Sequence, residues 1–216
     1  MAAAVKFVHA GKKYSDRRIL DGFDLEVEPG EAVSLSGPDG CGKSTVIRLA
    51  LGLVLATSGT VFVGGINPAK AGYLGRIRMR RRISAVLDEP VLPAMPAEAW
   101  LAAGIWSLGE AWSASLKRAR GILEETGMAG DAGKPFGALN PASQTVISLA
   151  GALARRPAVL LIDRAGLRDM EIPGGLASGM SSFTRQGGAC LVAGAPPSWF
   201  AAFKSRVIKM EKGTGV

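Results

Sequence analysis

Residues 32–53 read AVSLSGPDGCGKSTVIRLALGL, and this stretch decides the fold. Its first four residues form a short apolar strand, and residues 45–53 have the apolar spacing that is typical of a helix. Between them lies a glycine loop in which Gly37, Gly42, Lys43 and Ser44 satisfy the pattern GxxxxGK[S/T]. A strand, a glycine loop and a helix in this order predict a phosphate-binding loop rather than an ordinary turn.

Each part of the loop predicts a contact with a nucleoside triphosphate. The glycines let backbone N–H groups converge on phosphate oxygens, and the helix N-terminus adds a favourable dipole. Lys43 is expected to reach the β- and γ-phosphates, and the Ser44 hydroxyl to ligate Mg²⁺. The predicted nucleotide contacts of the loop are Gly37, Pro38, Asp39, Gly40, Cys41, Gly42, Lys43, Ser44 and Thr45.

A second apolar run ends in a carboxylate. Residues 158–163 read AVLLID, a continuous apolar segment of the kind that is buried in a parallel sheet. Its last residue, Asp163, is therefore predicted to reach the Mg²⁺ held by Ser44. The alternative is an ordinary aspartate at the end of a strand.

Length, composition and charge narrow the class of protein. The 216 residues fit one α/β domain or one core with an inserted subdomain, and a mean hydropathy of +0.22 is compatible with an apolar docking surface. No apolar run is long enough to cross a bilayer, and the opening residues are too short for a secretory signal, so we expect the chain to stay in the cytoplasm. Cys41 and Cys190 lack metal-ligand spacing and should be reduced. The net charge of +8 suits an anionic nucleotide, an anionic membrane surface or nucleic acid.

The remaining pattern organises the chain around the loop. The first 30 residues alternate apolar and polar positions and predict short antiparallel strands, and segments 60–63, 83–87, 190–193 and 207–210 predict further strands. Residues 96–127 are helical in pattern and lie between a proline-rich linker and the Gly- and Pro-containing segment 130–135, which indicates an inserted helical subdomain. Residues 145–154 predict another helix.

Several segments together resemble the nucleotide-binding subunit of an ABC transporter. They are Tyr14, residues 19–21 and 29–31, residues 57–61, residues 153–157 and the strand ending at Asp163, and with the phosphate loop they span residues 5 to about 210. The resemblance implies an α/β P-loop NTPase of the ABC ATPase type, with an antiparallel β subdomain and an inserted helical subdomain. It implies one domain over residues 1–216, with the core and β subdomain in about 1–88 and 139–216 and the helical subdomain in about 96–138. Tyr14 stands where the family stacks an aromatic ring on adenine, although packing is an equal alternative.

The chain departs from the family at residues that serve hydrolysis. Where the family has a catalytic glutamate after the Mg²⁺ aspartate, this chain has Arg164, whose guanidinium cannot accept a proton. Asp88 replaces the glutamine that precedes the helical subdomain; it could still touch Mg²⁺ or water, which makes it a candidate catalytic residue. Ala195 takes the place of the histidine that contacts the γ-phosphate, and the lone histidine, His9, is expected to be a surface or packing residue.

The family signature LSGGQ aligns with residues 139–143, which read LNPAS. In the family this segment caps the ATP held by the facing subunit, and Pro141 has no N–H to offer. A shifted register would recruit Ser143 instead. Without that shift, both sites of a homodimer would be impaired, because the resemblance implies that each site combines the phosphate loop of one subunit with the signature of the other.

The resemblance implies an ATP-binding subunit that binds ATP and Mg²⁺, with weak or lost hydrolysis and a regulatory role. Its implied partners are a membrane-spanning subunit and a second ATP-binding subunit, at the cytoplasmic face of the membrane, and the short chain resembles export-type subunits more than importers. The alternatives are a fully active transporter ATPase, a P-loop kinase or GTPase, and a soluble ABC-type protein acting on nucleic acid. No guanine-reading motif or tandem cassette supports the last two, so nucleic acid is not expected as a partner.

Two further features leave their roles open. Arginines occupy five of the seven positions in residues 76–82, and the run could face anionic lipid headgroups or nucleic acid or simply be a solvated face. Trp100, Trp106 and Trp112 could form a docking surface for a membrane subunit or pack in a core.

Overall fold

An antiparallel sheet forms the first layer of the protein. The computed structural model describes residues 3–87, 94–163, 173–194 and 206–211. The strands of this sheet are β1 (Val5–Tyr14), β2 (Arg17–Val27) and β4 (Ser58–Val63), in the order β2-β1-β4. The first two strands are longer than the sequence predicted, because irregularities in their register let one hairpin continue past each break in the alternation. His9 lies at such a break, where it is exposed and has a φ of 44°, and its Nδ1 lies 2.8 Å from Oδ2 of Asp24.

A parallel sheet forms the second layer. Its strands are β3 (Ala32–Ser36), β5 (Ile83–Leu87), β6 (Val159–Asp163), β7 (Ala189–Ala193) and β8 (Arg206–Lys209), in the order β5-β6-β7-β3-β8. The inner strands β3, β6 and β7 are almost entirely buried, which explains their continuous apolar sequences. The predicted strand positions are therefore confirmed in this sheet.

Helices cover both faces of the parallel sheet. They are α1 (Lys43–Ala50), α2 (Tyr73–Arg81), α3 (Ala97–Trp106), α4 (Trp112–Glu125), α5 (Pro141–Ala154) and α6 (Gly174–Arg185), with 3₁₀ turns at Ala129–Asp131 and Phe136–Ala138. Val159 and Leu161 of β6 pack in one core with α1 and the antiparallel sheet. Leu160 and Ile162 pack in a second core with α5 and α6. The alternation along one strand thus separates the two cores.

A third core joins α3, α4 and the first half of α5. The helical pattern of residues 96–127 is two helices, α3 and α4, separated by a turn in which Gly109 has a φ of 97°. Trp100 stacks on Phe136 with ring centroids 4.1 Å apart. Trp106 and Trp112 meet edge to face and stay about half exposed, so the three tryptophans do not share one role.

Two helices were not predicted from the sequence. The arginine-rich segment is helix α2, of which only Met79 is buried, so almost no apolar period was visible. Helix α6 is rich in glycine and serine, which are weak helix formers. In the part of the chain that the structure describes, no helix has both the length and the apolar character needed to cross a bilayer.

Candidate nucleotide-binding site

The phosphate loop lies between the end of β3 and the start of α1. Gly42 has a φ of 107° and precedes the first residue of α1, a conformation that glycine adopts without strain. Gly37 has a φ of 154°, and a Cβ atom there would lie 2.3 Å from the carbonyl oxygen of Met210. Both glycines are therefore required by the path of the backbone.

The Lys43 side chain folds back across the loop. Its Nζ donates to the carbonyl oxygens of Gly37 at 2.7 Å and Pro38 at 2.8 Å. Nζ also lies 3.6 Å from the thiol sulfur of Cys41, which is buried and reduced. These contacts hold a positive charge inside the loop, where the sequence predicted phosphate binding.

The predicted pair of Mg²⁺ ligands lies side by side. The Ser44 hydroxyl donates to Oδ1 of Asp163 at 3.0 Å, although 119 residues separate them in the chain. Hydroxyl and carboxylate oxygens are the donors that a hard cation such as Mg²⁺ prefers. The donor chemistry of the pair therefore fits Mg²⁺.

A cavity of about 410 Å³ opens above the loop. Of the predicted site residues it is lined by Tyr14, Asp39, Gly40, Gly42, Lys43, Ser44, Thr45 and Asp163. Three other predicted residues, Gly37, Pro38 and Cys41, belong to the loop but not to the cavity wall. The Tyr14 ring is partly exposed at the wall, and Nζ of Lys12 lies 4.9 Å from the ring centroid.

Two basic residues of the cavity wall were not predicted. Arg17 pairs with Tyr14 across the β1–β2 hairpin, and its guanidinium lies 3.9 Å from the place that a Cβ of Gly40 would take. Arg48 lies one helical turn after Ser44. The spacing from Ser44 could have indicated Arg48, whereas Arg17 depends on the hairpin register. With Lys43, they give the cavity three cationic side chains beside Asp39 and Asp163.

Three of the residues expected to govern hydrolysis lie outside the described residues. They are Asp88, Arg164 and Ala195. Their described neighbours Leu87, Asp163 and Gly194 all line the cavity.

The segment aligned with the signature begins helix α5. Asn140 is the N-cap, and its Oδ1 accepts a hydrogen bond from the backbone N–H of Ser143 at 2.8 Å. Pro141 follows at the first position of the helix, where a missing N–H costs the helix nothing. The Ser143 side chain is buried, and it helps Lys134 to lower the pKa of the Asp131 carboxyl. The alternative register, in which Ser143 serves a facing nucleotide, therefore finds that side chain buried.

The chain is similar in sequence to known ATP-binding proteins of transporters. A profile of the ABC transporter family matches residues 20–165. The aliphatic sulfonates import ATP-binding protein SsuB of Ralstonia nicotianae is 33% identical over 160 residues, which are 74% of this chain and 52% of that protein. The methionine import ATP-binding protein MetN of Rhizobium johnstonii is 33% identical over 162 residues, 74% of this chain and 45% of that protein. This chain thus spans about half the length of these curated relatives.

Two further likenesses extend over nearly the whole chain. The L-cystine transport system ATP-binding protein TcyN of Escherichia coli is 27% identical over 219 residues, covering 98% of this chain and 88% of that protein. A dimeric structure of a bacterial ABC transporter cassette superposes with a TM-score of 0.84 at 22% identity, over 97% of this chain and 95% of that one, and shows the same fold.

The expectation of an export-type subunit is not supported, because the sulfonate and methionine relatives are import proteins. The fold class expected from the sequence is confirmed. Since the family profile covers more than half of the chain and includes the phosphate loop, the chain belongs to the ABC transporter family as a nucleotide-binding domain.

Proposed function

We propose that this chain is the ATP-binding subunit of an ABC transporter or related membrane complex, and that it binds Mg-ATP with weak or no hydrolysis of its own. The observation that carries the proposal is the phosphate loop, in which Lys43 lies inside the glycine turn and Ser44 lies 3.0 Å from Asp163. The loop opens into a cavity with a net excess of cationic side chains, which favours a polyphosphate.

Different residues of the described site would bind the phosphates, the base and the Mg²⁺ of the nucleotide. The N–H groups of the loop and of the first turn of α1 would donate to the phosphates, and Lys43 would exchange its contacts with Gly37 and Pro38 for phosphate oxygens. Tyr14 and Ile19 at the cavity wall offer an apolar surface for the base. Ser44 and Asp163 would hold Mg²⁺, which screens the charge of the phosphates when it is bound.

The sequence departures support the loss of turnover. Arg164 cannot act as a general base, and the loss of one group of that kind typically costs a factor of about 100 or more in rate. The signature segment also offers few donors, since Pro141 has no N–H and the N–H of Ser143 is bound to Asn140. Both halves of a composite site would therefore be weakened.

The proposed setting is a complex at the cytoplasmic face of a membrane. A membrane-spanning subunit and a second ATP-binding subunit, identical or not, are the proposed partners. The import proteins among the relatives favour import over export as the direction of transport.

The decisive experiment is steady-state Mg-ATP turnover of the purified chain, together with ATP binding by calorimetry and with Lys43→Ala as the blank. We expect ATP to bind to the wild type and not to Lys43→Ala, with no turnover above the blank. Turnover that Lys43→Ala abolishes would instead favour the fully active ATPase, with Asp88 or a partner residue supplying the missing base. Absence of ATP binding would overturn the proposal.

The role of Arg164 has its own test. A guanidinium next to the γ-phosphate would stabilise bound ATP, so Arg164→Glu should weaken ATP binding or raise turnover. If both values stay at the wild-type level, Arg164 does not act at the phosphate.

A further inference from the structure

The excess of basic over acidic residues in the chain lies in one segment. Residues 40–87 contain eight Lys and Arg residues and no Asp or Glu, so this segment alone accounts for the net charge of +8. The rest of the chain has equal numbers of basic and acidic residues. Lys43 and Arg48 belong to the nucleotide cavity, and the other six cations lie on or beside helix α2.

The arginines on and next to α2 are exposed to solvent, and the described part of the chain gives them no acidic partner. Arg76, Arg78, Arg80 and Arg81 lie in α2, Arg82 follows its last residue, and all five are exposed. Among residues 3–87, 94–163, 173–194 and 206–211, no carboxylate forms an ion pair with any of them. Ordinary solvated helices alternate charge signs along their surface, and this one does not.

Apolar side chains share the outer face of the helix. Met79 is the one residue of α2 that is buried, so its side of the helix faces the core. Tyr73 and Leu74 at the start of the helix are 80% and 68% exposed. Ile77 and Arg81 follow Tyr73 at intervals of four residues, which places all three on one face away from Met79.

We propose that α2 binds an anionic lipid surface, with the arginines at the headgroups and Tyr73 and Leu74 entering the boundary with the acyl chains. Clustered Arg residues on a helix attract anionic lipid, and a tyrosine with one apolar and one polar end suits the interface. Nucleic acid is the weaker fit, because its binding surfaces interleave several aromatic rings with the charges and α2 offers only Tyr73. The inference does not rest on ATP binding.

The test is co-sedimentation of the nucleotide-free chain with vesicles of phosphatidylcholine alone or with about one third phosphatidylglycerol. The wild type should bind only the anionic vesicles, and less at about 0.5 M than at about 0.1 M salt. Each interfacial arginine contributes a factor of roughly five, so Arg78→Gln/Arg81→Gln should bind about 25-fold more weakly. Tyr73→Ser/Leu74→Ser should also weaken binding.

Matched variants separate this surface from general charge. Lys117→Gln/Arg185→Gln removes two exposed cations from other helices and should bind like the wild type, and Arg78→Lys/Arg81→Lys should keep most of the binding. Unchanged ATP binding in every variant would show that the fold is intact. Equal losses in the two Gln variants, equal binding to neutral vesicles or no vesicle binding would each overturn the proposal. Binding to a single-stranded oligonucleotide that exceeds binding to the anionic vesicles would assign α2 to nucleic acid instead.

Discussion

Arg17 and Arg18 are neighbours in β2 that have different surroundings. Arg17 lies at the wall of the nucleotide cavity, whereas Arg18 forms an ion pair with Asp21 away from it. Successive side chains of a strand point to opposite faces, so the two residues form a natural comparison. Arg17→Gln should raise the dissociation constant for ATP about tenfold, through the loss of one charge-assisted contact, and Arg18→Gln should leave it unchanged. Titration calorimetry measures both, and equal effects would place Arg17 outside the site.

Gly37 is a second residue whose role depends on space rather than charge. A Cβ atom there would meet the Met210 carbonyl oxygen at 2.3 Å and the Cys41 sulfur at 2.9 Å. We expect Gly37→Ala to lower the free energy of unfolding by about 2 to 4 kcal/mol, from overpacking and backbone strain together. Gly65→Ala is the control, because Gly65 has a φ of 76° and no atom near its Cβ position, and it should lose only about 1 kcal/mol. Urea unfolding of both variants would decide, and similar losses would contradict the steric argument.

The sequence predicted the parts of the site that a local sequence pattern marks. The loop from Gly37 to Thr45 carries its own spacing rule, and Asp163 ends a strand that is apolar throughout. Arg17 was not predicted as a site residue, because its position at the cavity depends on how two strands pair and no local sequence pattern indicates that pairing. The same limit applies to Asn140, whose capping role is visible only in the helix that follows it.

At the scale of elements, helices and strands were predicted where burial imposes a recognisable pattern of apolar residues, and they were missed where it does not. Strands β3, β6 and β7 are buried on both faces and were visible as apolar runs. Helix α6 is held by Leu176 and Met180 in the core, and Gly175 allows a close approach to the backbone of Glu125. Such a helix is stabilised by tertiary packing rather than by its propensity, so its glycines and serines obscured it.

Helices α3 and α4 are joined by an ion pair that predicts a pH effect. The hydrogen bond from Arg120 holds the pKa of the Glu98 carboxyl below its ordinary value, with the nearby positive charge adding to the effect against partial desolvation. Lys134, and then Ser143, likewise hold the pKa of Asp131 below its ordinary value. A carboxyl whose pKa is lower in the folded than in the unfolded protein stabilises the fold at pH values above its ordinary pKa. This stabilisation is lost as the pH falls from the ordinary pKa to the lower pKa of the folded state.

The urea concentration at the unfolding midpoint should therefore decrease as the pH is lowered from about 7 to about 3. Glu98→Gln removes one of the two groups and should reduce that fall. Glu124→Gln, an exposed residue of α4, should not. Identical pH dependence in the three proteins would show that the pair with Arg120 contributes no measurable stability.

At the scale of the whole molecule, the phosphate loop and the start of α5 are the two ends of the composite nucleotide site that the proposed function requires. The ABC resemblance implies that the phosphate loop of one subunit meets the start of α5 of the other. In this chain the start of α5 is the weaker of these two phosphate-binding ends. Pro141 offers no N–H, and Asn140 uses the N–H of Ser143 for its own helix cap. The defect should therefore appear in assembly rather than in the binding of ATP by one chain.

The combined change Asn140→Ser, Pro141→Gly and Ala142→Gly writes the pattern Leu-Ser-Gly-Gly at residues 139–142 and returns the missing N–H. A hydrogen bond to a charged phosphate contributes about 1.5 to 3 kcal/mol, so this variant should dimerise at least about tenfold more tightly than the wild type in saturating Mg-ATP. Sedimentation velocity measures the dimer fraction of both proteins. The gain should disappear when Lys43→Ala is added, because the bound nucleotide is then lost. A variant that binds ATP normally yet dimerises no better than the wild type would mean that the start of α5 is not what limits pairing.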